Sequence, residues 1–236
     1  KRSFENANKH RLWEKFDKSI RENLYIKSYK NAEIVLVDGL WDNPNHFMRL
    51  RIFLEALKKN KNIRLVAFVD SPESRPINTL KAMGFNEFFC ISDFPIIQRD
   101  KNLAKATLKN VRTHQELLKI ELPENLPAYY LYDTVLKIDR HPQTSISSKL
   151  WLEKLSDIYR LDRFYNEIFK SLNINKIILS HVFKNEFGLL LHKGIRRKIT
   201  CFNIYAAYEM MRIRKFDCLE DLERPMEILS FNDFNN

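Results

Sequence analysis

Glycine and cysteine are both scarce in this chain of 236 residues, which contains four glycines and three cysteines. There is no Gly-x-Gly-x-x-Gly sequence, so a dinucleotide site of the usual kind is not indicated. The number of cysteines is odd, and no two of them form a Cys-x-x-Cys pair, which argues against a disulfide framework. They are Cys90, Cys201 and Cys218. No Cys, His or carboxylate cluster has the spacing of metal ligands, so the sequence predicts no metal site.

Long apolar runs are also missing, although 44% of the residues are hydrophobic and suffice to build a core. No window approaches the roughly 18 uninterrupted apolar residues of a membrane span. The N-terminus is charged and has no apolar segment of a secretory signal, and the chain begins at Lys1, so we expect that something upstream was removed. These features favour a cytoplasmic protein with one large α/β domain and helical additions.

The net charge of +10 predicts attraction to polyanions, which include nucleic acid, anionic lipid and phosphorylated or acidic substrates. The alternative is that a chain rich in lysine and asparagine is simply basic. Residues 4–28 show helical spacing of apolar side chains with Lys and Arg between them. We interpret residues 1–30 as an amphipathic helix packed on the domain. The alternative is peripheral contact with an anionic inner membrane.

Short apolar runs alternate with helical patterns along the rest of the chain. This order predicts a Rossmann-like parallel sheet with helices on both faces over residues 31–205. Residues 98–172 are more helical and are interpreted as an insertion, and 206–236 as a tail of helix and coil that leads towards a missing second domain. The runs that we interpret as strands are 33–38, 64–70, 87–92, 176–180 and 198–203.

The segment after the first predicted strand is dense in polar side chains, at the edge of an open α/β sheet where ligands bind. Its candidates are Asp38, Gly39, Trp41, Asp42, Asn43, Asn45 and His46. The amides and Asp42 can hold hydroxyl groups, Trp41 can stack on a sugar ring, and His46 can act as a base near a helix N-terminus. The alternative interpretation is turn and N-cap chemistry.

A second polar segment follows a later predicted strand. Its candidates are Ser180, His181, Asn185, Glu186 and Gly188. His181 would face the same cleft as His46 if the two strands are near neighbours. The alternative is a structural histidine and an ordinary helix start.

Three weaker candidates lie elsewhere in the sequence. Arg140 lies within two helical turns of Asp133 and Lys137 and would bind an anionic acceptor. Asp70 ends the second predicted strand, where an acid meets a ribose in many Rossmann domains. The basic run of residues 212–215 has two interpretations, a solvated face and a phosphate contact.

Three stretches resemble a family of bacterial surface-polysaccharide biosynthesis proteins, of the capsule or O-antigen type. They are Val37–Leu50, Ile178–Leu190 with Gly194 and Ile195 after it, and Ala207–Lys215 followed by Leu219–Pro225. In the second stretch the family reads Ser-His followed by an aromatic residue and a glycine. Phe183 or Phe187 holds the aromatic position here, and Gly188 holds the glycine.

This resemblance implies a GT-B glycosyltransferase, in which two Rossmann-like domains face each other across a cleft. The chain would be the N-terminal, acceptor-side half, with a glycan acceptor as its partner, and the nucleotide-sugar donor would bind the second domain. We hypothesise that His46 or Asp42 deprotonates the acceptor hydroxyl or stabilises the oxocarbenium-like centre of the donor, and that Asn43, Asn45, His181 and Glu186 orient the sugars.

Two other functional classes stay open. A basic nucleic-acid-binding module is suggested by the charge and by 17 Phe, 9 Tyr and 3 Trp. Most of these aromatic residues fall at core spacing and no RNA-binding signature is present, so nucleic acid is not favoured. The third class is a non-catalytic scaffold that retains the fold.

Overall fold

The computed structural model describes residues 32–60, 62–140, 144–207 and 210–223. The helix predicted at residues 4–28 and the end of the predicted tail lie outside this part of the chain. The strands are β1 (Glu33–Asp38), β2 (Ile63–Val69), β3 (Glu87–Cys90), β4 (Ile174–Leu179), β5 (Thr200–Ala207) and β6 (Met210–Phe216). The helices are α1 (Pro44–Asn60), α2 (Pro76–Ala82), α3 (Gln98–Leu108), α4 (His114–Leu117), α5 (Tyr129–Asp139), α6 (Lys149–Ser171), α7 (Asn185–Arg196) and α8 (Glu220–Glu223). Among the residues described, no helix is both long and apolar enough to cross a membrane.

The six strands form one sheet in the order β3-β2-β1-β4-β5-β6. The first five strands are parallel, and β6 pairs with β5 in the antiparallel direction. The chain builds outward from β1 through β2 to β3, then returns to place β4 on the other side of β1. The prediction of an α/β fold with a mostly parallel sheet is confirmed, and the strand order is consistent with a Rossmann-like fold.

Helices cover both faces of the sheet because alternate side chains of the central strands point to opposite sides. Val35 and Val37 of β1 pack with residues of α1 and α2, among them Phe47. Leu36 faces the other side and belongs to a larger cluster with residues of α3 to α7. Since both faces of β1 are buried, its sequence is a continuous apolar run, as expected for an inner parallel strand.

The predicted helical insertion forms the connection from β3 to β4, with α5 and α6 packed on one face of the sheet. A buried ion pair network ties this layer to α7. The ammonium group of Lys193 on α7 lies 2.7 Å from Asp162 on α6 and 2.9 Å from Glu124, in the turn before α5. Lys193 is fully buried, so losing either carboxylate would leave its charge poorly compensated. The network therefore fixes α6 and α7 relative to each other.

The predicted tail of helix and coil differs from the structure, because residues 210–216 form β6 at the edge of the sheet. Phe216 is buried in the core, whereas Ile213 is exposed on the other side of the strand. The guanidinium of Arg214 lies 4.9 Å from the Phe216 ring centroid, a cation–π contact along the strand. Arg212 and Arg214 lie on the same side of the strand as Phe216, so apolar and basic residues of β6 do not alternate strictly.

Candidate functional site

The two polar segments singled out in the sequence meet where β1 and β4 end side by side. Asp38 is the last residue of β1, and Ser180 directly follows β4. The Ser180 hydroxyl lies 2.9 Å from Asp38 Oδ1, and the backbone N–H of Ser180 donates to Asp38 Oδ2. Both residues are buried. This is the point at which the strand order reverses, and ligands of open α/β sheets bind at such a point.

The carboxyl group of Asp38 is fully buried and has no contact with solvent. Burial raises its pKa from 3.8 to about 7, against the lowering effect of its hydrogen bonds from Ser180 and the Leu40 backbone. The negative charge of Glu186 adds to the rise in pKa. Asp38 therefore exchanges its proton near neutral pH, which is unusual for an aspartate and is typical of functional sites.

His181 continues the hydrogen-bond chain towards the surface. Its Nδ1 atom lies 3.0 Å from the Ser180 hydroxyl oxygen. The ring is half-buried between Trp41 and Phe187, at centroid distances of 4.4 and 5.2 Å. Partial burial lowers the pKa of His181, and the positive charges of Lys184 and Lys137 lower it further. His181 is therefore a neutral imidazole around pH 7.

His46 is enclosed in a way that the sequence did not predict. The residue is only 1% exposed, and its ring lies 5.4 Å from those of Trp41 and Phe47. Within the described residues, neither ring nitrogen has a hydrogen-bond partner. Burial lowers the pKa of His46 to about 3, with smaller effects from Arg49 and His181. A neutral, enclosed imidazole argues against the predicted role of a base that a substrate reaches.

The remaining predicted residues of the first segment lie at the start of α1. The Asn43 side-chain oxygen accepts a hydrogen bond from the backbone N–H of Asn45 at 3.0 Å, which is N-cap chemistry. Asn45 itself is exposed. Asp42 is half-buried, and its carboxylate is 4.0 Å from Arg75. The structure thus favours the capping interpretation for Asn43 and leaves Asp42 outside the hydrogen-bond chain from Asp38.

Gly39 and Gly188 both occupy positions where a side chain does not fit. A Cβ atom on Gly39 would lie 2.8 Å from Leu80 and Val69, because the chain leaves β1 close against β2. A Cβ atom on Gly188, inside α7, would lie 2.3 Å from the Tyr130 ring. Close packing accounts for both glycines, which were predicted to lie among the substrate-binding residues.

Replacing Gly188 with alanine is expected to destabilise the protein by about 2 kcal/mol, because the added methyl group overpacks the contact of α7 with Tyr130. The same substitution in a Tyr130→Leu background should stabilise the protein by up to about 1 kcal/mol, since alanine is the better helix former. Urea unfolding of the four proteins measures both effects. An equal cost in the two backgrounds would show that the Tyr130 contact is not the reason for glycine.

A cleft of about 500 Å³ opens beyond the ends of β1, β2 and β3, and Asp38, Ser180 and His181 are not among the residues that line it. Leu40, Asp70 and Ile91 come from the ends of β1, β2 and β3, while α5 and α6 form one wall and the start of α7 another. The charged residues of its lining are Asp70, Lys137, Lys154, Asp157, Arg160, Lys184 and Glu186.

The charges of the cleft are only partly neutralised by each other. Arg160 pairs with Asp157 at 2.5 Å, whereas Lys137 and Lys184 make no ion pair within the described residues. Glu186 is partly buried, and burial raises its pKa. Unpaired ammonium groups bind phosphate or carboxylate, and carboxylates accept hydrogen bonds from hydroxyl groups. The cleft therefore suits a polar ligand that carries both negative charge and hydroxyl groups.

Four charged residues of the α5–α6 wall were not predicted as site residues, and neither was Lys184 at the start of α7; the four are Lys137, Lys154, Asp157 and Arg160. A signal was present, because Lys154, Asp157 and Leu161 follow helical spacing and share one face of α6. Arg140, which was predicted to bind an anionic acceptor, does not line the cleft. It ends α5 in the left-handed conformation, with φ at 58°, and its side chain is exposed.

Asn185, another predicted site residue, is the first residue of α7 and is fully buried. Its side-chain amide atoms have no hydrogen-bond partner in the described part of the chain.

Comparison with known proteins adds nothing to this geometry. No protein-family model matches the chain, and neither a curated protein nor a solved structure matches it. Among the described residues, no group of three or more His, Cys, Asp or Glu could hold a metal ion. The geometry and charge of the cleft therefore carry the functional argument.

Proposed function

We propose that this chain is the acceptor-side half of a glycosyltransferase that moves a sugar from a nucleotide-sugar donor onto a bacterial surface polysaccharide. One observation carries the proposal. The two segments that most resemble such proteins are far apart in the sequence, and they meet through Asp38 and Ser180 beside the cleft. Ligand sites of open α/β sheets lie at this position.

The chemistry of the cleft supports a glycan acceptor that carries negative charge. Its volume of about 500 Å³ falls in the ordinary range of small-ligand sites. Lys137 and Lys184 are available for a phosphate or carboxylate group, and Asp70 and Glu186 for sugar hydroxyl groups. The net charge of +10 also suits an acceptor presented at an anionic membrane surface.

The donor is expected to bind a second domain that faces this edge of the sheet. In that arrangement the chain itself requires no cofactor, and the nucleotide-sugar is a substrate. Transfer needs a group that takes the proton of the acceptor hydroxyl, and the hydrogen-bonded residues beside the cleft are suited to that step.

If the proposal is right, the full-length natural protein that contains this chain should release nucleotide from one member of a panel of nucleotide-sugars. The 236 residues alone should release none. In the active form, Lys137→Ala and Lys184→Ala should each raise the KM for the acceptor about tenfold, because each removes one charge-assisted contact. Mass spectrometry of the released nucleotide measures both effects.

Lys119→Ala is the matched control, because Lys119 is exposed and lies outside the lining of the cleft. Consumption of no donor by either form would reject sugar transfer and favour a scaffold. RNA binding at sub-micromolar affinity, falling steeply with salt, would favour the nucleic-acid alternative.

A further inference from the structure

We infer that His181, rather than His46 or Asp42, takes the proton of the acceptor hydroxyl, and that Asp38 positions it through Ser180. The inference rests on the proposed function, because a proton acceptor is useful only where a hydroxyl group is to be activated. Its basis is the hydrogen-bond chain from the end of β1 to the residue after Ser180.

The direction of this hydrogen-bond chain follows from the one hydrogen on the Ser180 hydroxyl. Its oxygen lies 2.9 Å from Asp38 Oδ1 and 3.0 Å from His181 Nδ1. An ionised carboxylate can only accept, so the hydroxyl donates to Asp38. Nδ1 of His181 must then carry its own hydrogen and donate to the serine oxygen. In this tautomer the lone pair of the ring is on Nε2, which is free to take a proton.

His181 is not enclosed as His46 is, although it is not among the residues that line the cleft. It is half-buried, and its Nε2 atom has no hydrogen-bond partner in the described part of the chain. The positive charges that act on the ring are Lys184 and Lys137, and both line the cleft. The rings of Trp41 and Phe187 restrict the imidazole from two sides.

The transfer step balances with these groups and the donor. Nε2 of His181 takes the proton as the acceptor oxygen forms a bond to the anomeric carbon of the donor sugar. The bond from that carbon to the phosphate oxygen breaks, and the nucleoside diphosphate leaves with the electron pair. The imidazolium is stabilised by Asp38 through Ser180, and it then releases the proton to solvent.

Protonation of Asp38 would reverse the two side-chain hydrogen bonds, from Ser180 to Asp38 and from His181 to Ser180, while the backbone N–H of Ser180 would still donate to Asp38. The carboxyl group would donate to Ser180, Ser180 would donate to Nδ1, and the ring would carry its hydrogen on Nε2, with no lone pair left there. The charged and titratable groups that act on Asp38 are Glu186 and Tyr165, and those that act on His181 are His46, Lys184 and Lys137. Transfer should therefore slow as the pH falls through about 7.

Nitrogen-15 NMR of the histidine side chains tests the tautomer without any turnover. His114 is the internal reference, because its Nε2 lies 2.7 Å from the carbonyl oxygen of Thr144 and must donate to it. At pH 8 we expect His181 to show hydrogen on Nδ1 and His114 on Nε2. As the pH falls below about 7, His181 should change to the Nε2 form before its ring becomes charged.

Two variants separate this hydrogen-bond chain from general packing. In Asp38→Asn the amide oxygen would accept from the Ser180 N–H, so the amide NH₂ would donate to the hydroxyl and His181 should show the Nε2 form even at pH 8. In Ser180→Ala the change of tautomer with pH should disappear. A wild-type His181 with hydrogen on Nε2 at pH 8 would overturn the inference.

Turnover by the complete enzyme then separates the two proposals. Asp38→Asn and His181→Gln should each lower kcat by a factor of about 10²–10⁴ with little change in KM, and His114→Gln should retain wild-type kcat. Sugar transfer together with the wrong tautomer at pH 8 would overturn the role of His181 alone. The expected tautomer without any sugar transfer would support the hydrogen-bond chain and reject the proposed function.

Discussion

Asparagine in place of Asp38 is expected to stabilise the folded protein at pH 8 by about 2 kcal/mol. Folded Asp38 keeps its proton up to about pH 7, whereas in the unfolded chain it loses it near pH 3.8. Between these values the folded state binds more protons, so wild-type stability falls as the pH rises from about 4 to 7. The full cost is about 4 kcal/mol above pH 7. Asparagine avoids this cost of ionising a buried carboxyl group, but it loses the charge-assisted hydrogen bonds that Ser180 donates to the carboxylate.

Urea unfolding at pH 5 and pH 8 measures this effect. The advantage of Asp38→Asn over wild type should be larger at pH 8 than at pH 5. Asp70→Asn is the matched control, because Asp70 directly follows β2 but is exposed, and its replacement should change stability by less than about 0.5 kcal/mol at either pH. A variant that is less stable than wild type at pH 8 would show that the bonds of the carboxylate outweigh its burial. Greater stability with loss of turnover would identify Asp38 as a group kept for function.

Leucine in place of His46 is expected to make the protein more resistant to acid. The unfolded histidine takes up a proton below pH 6.5, whereas the folded one stays neutral to about pH 3. The unfolded state therefore binds more protons in this window, and stability is lost as the pH falls. At pH 5 the loss from this residue amounts to about 2 kcal/mol, which leucine would avoid. Since neither ring nitrogen has a partner in the described structure, leucine breaks no hydrogen bond to it.

The test compares the change in unfolding free energy from pH 7 to pH 5 in wild type and in His46→Leu. The variant should lose about 2 kcal/mol less over this interval. Leu54→Val changes buried packing two turns further along α1 without removing a titratable group, so it should follow the wild-type pH dependence. An identical pH dependence for wild type and His46→Leu would mean that His46 is protonated in the folded state or is not enclosed.

The central strands were predictable because burial on both faces leaves a continuous apolar run, as in Val35 to Val37. β6 was not predictable in the same way. Its alternation is interrupted by basic residues, and its pairing with β5 decides that Phe216 faces the core. An edge strand depends on a neighbour that is already in place, and local sequence carries little of that information.

The part of the candidate site at the ends of β1 and β4 was predictable from the sequence, whereas the wall that α5 and α6 form was not. Asp38 and Ser180 each follow an apolar run, so the position of ligand sites in α/β sheets was enough to select them. Lys137 and Arg160 lie in helices with ordinary amphipathic patterns, and only tertiary packing brings them to the cleft. The enclosure of His46 was also out of reach of the sequence, because it depends on the positions of Trp41 and Phe47 around the ring.

The bond between Asp38 and Ser180 joins residues 142 positions apart, with the whole β3–β4 connection between them. Contacts across such a distance close a long loop, and they form late relative to local structure. A partly folded chain would thus have its first strands and helices in place while His181 lacked its partner. The proposed proton acceptor would then gain its hydrogen-bonded partner only once folding is complete, so we expect turnover from fully folded molecules alone.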